Sequence, residues 1–154
     1  MKIKLSDITC SVIKFKENKT EVYVDDNVKL KDSPWFIYLT TKNTDPLYES
    51  FYATRKHKDH KNDYWYNIKN FDKLFLSIKL FGYRKNLCNN SLFQNRFNGK
   101  KWQGGKGPIK IDKKCKICDG HHRCVILYYI YGPNFIISID KFKFVNDIQP
   151  LKYV

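Results

Sequence analysis

Phe71, Leu74, Phe75, Ile78 and Phe81 recur with the i, i+3, i+4, i+7 spacing of a helix that buries one face. Asn70 stands where an N-cap belongs and Gly82 where a helix-ending glycine belongs, so a helix is predicted over Phe71 to Phe81. Toward the N-terminus the period shortens to two. Lys2 to Leu5 and Thr20 to Val24 alternate polar and apolar side chains and predict short strands, with Asp25-Asp26-Asn27 turning the chain toward Val28 to Leu30. Ser33-Pro34 is a cap followed by proline at the first helical position, opening a short aromatic helix through Trp35, Phe36 and Leu39. Asp45-Pro46 repeats the device before a second helix, Leu47 to Thr54, with Tyr48, Phe51 and Tyr52 on one side and Glu49 away from it.

Residues 86 to 107 are polar and end in a glycine-bearing loop, Gly104-Gly105-Lys106-Gly107. Pro108 to Ile111 and Cys115 to Cys118 are strand-like, with Asp112-Lys113-Lys114 as the turn between them. Phe135 to Ile139 reads as a buried strand and Lys141 to Val145 as an edge strand. Val125 to Tyr131 is apolar on every side and rich in β-formers, so its periodicity fits a buried helix or a buried strand equally. Separate helices and short strands in 154 residues make one α+β domain with one core.

Composition changes this picture in three ways. No apolar run approaches the roughly 20 residues that cross a bilayer, and the N-terminus lacks the apolar segment of a signal peptide, so a cytoplasmic protein with no membrane partner is expected. Five cysteines, three of them between positions 115 and 124, do not suggest a disulfide framework. The formal charge of +14 would attract nucleic acid, nucleotides or another polyanion, yet only four of the 29 basic residues are Arg, the side chain suited to bidentate phosphate recognition. A solvated lysine surface explains the charge as well. The basic run Arg55 to Lys61, with His57 and His60, reads as a solvated loop.

Candidate chemistry concentrates in Cys118-Asp119-Gly120-His121-His122-Arg123-Cys124. A tight Asp-Gly turn before a helix would present unpaired backbone N–H groups to an anion, with Arg123, His121 and His122 supplying further hydrogen bonds and Gly120 allowing close approach. Asp119 would then cap the helix, hold a histidine in one tautomer, or bind Mg²⁺ beside a nucleotide. Zinc is a second reading, because Cys115, Cys118, His121 and Cys124 are four good ligands, although they lack the long gap between ligand pairs of a usual zinc knuckle. Core filling by small cysteine side chains is a third.

The helix Phe71-Asp72-Lys73-Leu74-Phe75-Leu76-Ser77-Ile78-Lys79-Leu80-Phe81-Gly82, the strand Pro108-Ile109-Lys110-Ile111, the turn Asp119-Gly120-His121-His122-Arg123 and the closing Tyr131-Gly132 occur in an order that resembles the ParB/sulfiredoxin-like superfamily. The resemblance covers about residues 64 to 144. It implies a small mixed sheet packed with helices, with residues 64–154 as the domain and 1–63 as an N-terminal elaboration that is not independent. It also implies a helix over Val125 to Tyr131 and a turn that binds nucleotide phosphates. The superfamily includes the CTP-binding domain of chromosome-partition proteins, sulfiredoxin, and a free-serine kinase whose motif is close to this one. Carried over, Gly120, His121, His122 and Arg123 would meet the phosphates, with Asp119 near the metal or the accepting hydroxyl. Sulfiredoxin's cysteine position is His121 here, so sulfinic-acid repair is not implied, and no helix-turn-helix pattern follows the motif.

The leading expectation is a phosphotransferase that uses ATP or CTP with Mg²⁺ and acts on a small hydroxylated metabolite or sugar. Arg123, His121, His122 and a loop lysine such as Lys106 would neutralise phosphate charge, and Asp119, His122 or Glu49 would act on the reacting groups, with Asp72 as a further candidate base. The alternatives are a non-catalytic nucleic-acid-binding or nucleotide-sensing module that uses the +14 field, and a zinc-stabilised structural domain.

Overall fold

A computed structural model of the chain describes residues 2–57, 67–82, 109–138 and 142–143. Helices and short sheets alternate in an α+β domain. Strand β1 (Lys2–Lys4) leads through a 3-10 turn, Leu5–Asp7, into a hairpin of β2 (Thr9–Phe15) and β3 (Val22–Lys29). A second 3-10 turn, Leu30–Asp32, precedes α1 (Pro34–Thr41), α2 (Asp45–His57) and α3 (Ile68–Phe81). Strands β4 (Lys110–Asp112) and β5 (Ile117–Asp119) then lead into α4 (His121–Tyr131), β6 (Ile136–Ser138) and β7 (Phe142–Lys143).

The β2–β3 hairpin corrects the expected turn at Asp25-Asp26-Asn27. Those residues lie within β3, and the reversal occurs instead between Lys16 and Glu21, whose backbone groups bond at 2.8 Å while the Asn18 side chain accepts from the N–H groups of Thr20 and Glu21. Pairing of Cys10 with Val28 gives way to Val12 with Asp25, so two residues of β3 oppose one of β2. This is a bulge. The Asp and Asn side chains serve it as they would serve a turn, because the Asp25 carboxylate accepts from the Asn27 N–H and from Lys14, and Asp26 accepts from the Ser11 hydroxyl.

Strand β1 pairs antiparallel with β6, and the amides of Leu5 and Ser6 donate to the carbonyls of Phe135 and Pro133. The third sheet has the order β5-β4-β7, with β4 and β5 antiparallel as expected from their spacing and β7 parallel to β4. The buried Asp112 carboxylate accepts from the N–H groups of Lys114 and Lys116 and so shapes the β4–β5 turn. A parallel bridge between Thr9 and Lys116 ties this sheet to β2.

Helix caps follow local chemistry. The Ser33 hydroxyl accepts from the Phe36 N–H at 3.3 Å with Pro34 at the first position of α1. Helix α3 starts earlier than its apolar period implies: Asn67, not Asn70, is the cap, accepting from the Lys69 N–H, because Ile68 adds a further turn packed on the core. Helix α2 likewise runs longer than Leu47 to Thr54, and it buries Phe51 while leaving Tyr48 and Tyr52 exposed. Phe71, Leu74 and Ile78 of α3 are buried as expected, and Gly82 closes the helix at φ 75°.

Helix α4 runs through the centre. Every residue from His121 to Leu127 is buried, and the helix packs against α1, α3 and both 3-10 turns. The apolar run shows no periodicity because Val125, Ile126 and Leu127 are buried on every side and the helix then continues through tyrosines, of which Tyr129 and Tyr131 are exposed. The buried cluster joins Leu5, Leu30, Leu39 and Leu47 to Phe71, Ile109, Ile126 and Leu127, so the first 57 residues and the later elements share one core. Among the described residues no helix is long and apolar enough to cross a membrane.

Ser33 is fully buried, so Ser33→Ala leaves the Phe36 N–H without its cap in an apolar setting. Urea unfolding is expected to show a loss of about 1–2 kcal/mol with the helix content of the native state retained.

Candidate functional site

The site begins where β5 passes into α4. Gly120 adopts the left-handed conformation (φ 99°, ψ 25°) that reverses the chain from strand to helix. A Cβ at this position would lie 2.8 Å from Ile109 Cγ1 and 3.1 Å from Arg123 Nη2, so glycine is required for space as well as for conformation. Gly120 offers no side-chain cap, and the first helical hydrogen bond runs from the Cys124 N–H to the Gly120 carbonyl at 2.9 Å. The N–H groups of His121, His122 and Arg123 therefore lie outside the helical ladder and point out of the amino end of α4.

Three consecutive helical residues fan out by about 100° each, so at a surface at least one of them meets water. Here His121, His122 and Arg123 are only 4%, 5% and 3% exposed. The guanidinium folds back over Gly120, which puts a positive charge at the positive end of the helix dipole.

The two imidazoles have different surroundings. His122 stands edge-on to Trp35 at 4.8 Å and tilted to Phe71 at 5.8 Å, while His121 stacks on it at 5.5 Å and 22°. Among the described residues neither ring nitrogen of His121 has a hydrogen-bond partner. Leaving a buried polar atom unsatisfied costs about 1–3 kcal/mol. Burial lowers the pKa of His121 to about 4. His122 falls well below its usual range, first through burial and then through His121 and Arg123. Both rings are neutral at pH 7, and each has one N–H to donate.

The structure thus brings together Gly120, His121, His122 and Arg123. Glu49 is not gathered with them: it is exposed on α2, whose main packing partners are β2, α1 and β3. Asp119 lies in β5 opposite Lys110, with its side chain outside the described residues, as is Lys106 entirely. Asp72 is engaged elsewhere. Both of its carboxylate oxygens accept from the Tyr38 hydroxyl, at 2.8 and 3.1 Å, tying α3 to α1 and helping burial to push the Tyr38 pKa up to about 12.

The cysteines divide between the core and the β4–β5 turn. Cys124 is fully buried in α4, whereas Cys115 sits in that turn at φ 62°, its thiol pushed up by burial and by Asp7 and Asp112. Among the described residues no three metal-ligating side chains gather, and the Cys118 side chain lies outside them. The zinc quartet therefore has no support from the three members whose positions are known. Cys10 is pushed up to about 12, chiefly by burial, so its thiol stays protonated near neutrality.

Neither motif nor spacing marks Trp35 or Phe71, the aromatic wall beside His122, as a site residue. The usable signal was the cap at Ser33-Pro34, which places Trp35 on the same helical face as Tyr38 and Leu39, all three of them buried. Comparison with known proteins gives no match: no family model, no curated protein and no solved structure matches the chain.

Two measurements probe the turn. Gly120→Ala meets both the left-handed backbone and the Ile109 contact, and is expected to cost about 2–4 kcal/mol in urea unfolding. The pH dependence has a definite sign. Because the folded-state pKa of His121 lies below the ordinary 6.5, the unfolded chain binds more protons between about pH 6.5 and 4, and stability falls as the pH falls through that window. His121 alone accounts for on the order of 3 kcal/mol by pH 4. His121→Gln is expected to flatten the stability–pH curve by about one proton, and an unchanged slope would contradict the assignment.

Proposed function

We propose that the amino end of α4 binds a phosphate group and that the chain is a nucleotide-binding protein of the ParB/sulfiredoxin-like type. One observation carries the reading: a glycine-opened helix start whose first three side chains, His121, His122 and Arg123, are all buried, with both His121 ring nitrogens unsatisfied among the described residues. A water-filled surface turn needs none of this. A phosphate accepts several hydrogen bonds at once, and it would take them from the first-turn amides, the Arg123 guanidinium and the neutral N–H of His121. Gly120 lets the backbone approach without a side chain between.

The reaction that fits is phosphoryl transfer from ATP or CTP to a small hydroxylated metabolite or sugar. Such transfer asks the protein chiefly for positioning and charge neutralisation. Arg123 and the helix dipole supply the charge, His121 and His122 remain neutral hydrogen-bonding groups, and Asp119 is the residue of this motif that would meet Mg²⁺. The metal, carried by the nucleotide, would supply further neutralisation of phosphate charge. The +14 charge of the chain adds long-range attraction for any polyphosphate. Nucleic-acid binding has weaker support, because the cationic turn is enclosed and not displayed along a groove.

Calorimetry and thermal shift with inorganic pyrophosphate, ATP and CTP, each with and without Mg²⁺, test the reading. A ligand present at 100 times its dissociation constant is expected to stabilise the fold by about 2.7 kcal/mol. Arg123→Gln is expected to weaken pyrophosphate at least about tenfold. Absence of heat and of thermal shift with all three would overturn the proposal.

A further inference from the structure

We infer that Trp35 is a positioning residue of this site: from the N-terminal segment it sets the ring plane of His122 and, through the stacked pair, that of His121. The inference rests on the phosphate reading of α4 and assigns to the first 57 residues a part in that site.

The geometry has two stages. Trp35 is itself held firmly, because its backbone follows the capped Ser33-Pro34 start of α1 and its indole lies between Phe71 of α3, 4.2 Å away and 31° from parallel, and Phe51 of α2, 5.5 Å away. Only 6% of the residue is exposed. The indole in turn meets the His122 ring at 4.8 Å and 76°. With Phe71 tilted against a second side of that imidazole and His121 lying parallel to it, His122 has aromatic neighbours in three directions.

An edge-to-face aromatic contact favours one ring orientation over its alternatives by about two- to tenfold. His121 gains the benefit, since its ring lies near-parallel to that of His122 and its one N–H is the donor offered to the ligand. A phosphate bound at the mouth of α4 would therefore find its donors already directed. Leucine at position 35 fills space without supplying a ring face, whereas phenylalanine keeps the face and loses only the outer ring of the indole. That difference separates positioning from core filling.

The test uses the full chain with Trp65→Phe and Trp102→Phe, so that Trp35 is the sole tryptophan. Inorganic pyrophosphate is titrated while heat and Trp35 emission are recorded. The expected result is a saturable emission change with the same midpoint as the heat. Heat without an emission change overturns the inference and leaves the phosphate site standing; neither signal removes the site and the inference together. Trp35→Leu and Trp35→Phe, checked for native circular dichroism, then separate the roles. The leucine variant is expected to bind pyrophosphate about tenfold more weakly and the phenylalanine variant within about threefold of the parent. Equal affinities in all three folded proteins would reduce Trp35 to a core residue. If the leucine variant does not fold, the phenylalanine variant and the emission titration decide: loss of binding in a folded Trp35→Phe protein also overturns the inference, because the ring face is retained.

Discussion

The amino end of α4 enters the core where a helix start would ordinarily meet water, and much of the fold is arranged to allow it. Three polar side chains fanning from a buried helix end need neighbours on every side. Trp35, Phe71 and Ile109 supply them from α1, α3 and the residue before β4. Gly120 contributes by what it lacks: a methyl group there would collide with Ile109 and crowd Arg123. The polar groups remain costly to bury, the more so for a guanidinium at the positive end of a dipole. That cost is tolerable in a protein with one core cluster of described buried apolar residues that runs from Ile3 to Ile137.

The aromatic contacts show how the two parts of the chain depend on each other. Trp35 and Phe51 come from helices that precede position 58, Phe71 from the helix after it, and His122 from α4, yet their rings form one connected group. Tyr38 extends the group through its contact with Phe71 and through the bond to Asp72. The N-terminal segment is therefore structural material of the candidate site and not an appendage beside it.

Features governed by near neighbours were legible in the sequence. The Ser33-Pro34 start of α1, the inward face of α3, the glycine that ends α4 and the β4–β5 hairpin each depend on residues a few positions apart. Asp25 to Asn27 misled because short carboxylates and amides satisfy backbone N–H groups in a bulge as readily as in a turn. Thr9 to Phe15 gives no clear strand signal, since Cys10, Ser11, Val12 and Ile13 are all buried and alternation is lost when both faces are covered. The glycine-opened helix start at Gly120 and its polar first turn could be read from residue types alone. Its enclosure could not, because the contact between Trp35 and His122 joins positions that only the tertiary fold brings together.

The pairing of β1 with β6 constrains the order of events when the chain is made. Lys2, Ile3 and Lys4 leave the ribosome early, but their partners Ser138, Ile137 and Ile136 emerge more than a hundred residues later, and Leu5 and Ser6 wait for the same stretch. The central helix, which the core surrounds, is also translated after β1 to β3 and α1 to α3. During synthesis the β2–β3 hairpin and α1 to α3 can form locally, with α2 packing on β2 and α1, but the faces of α1 and α3 that meet α4 stay uncovered until it arrives. Until that closure the nascent chain exposes those faces to chaperones and to premature association.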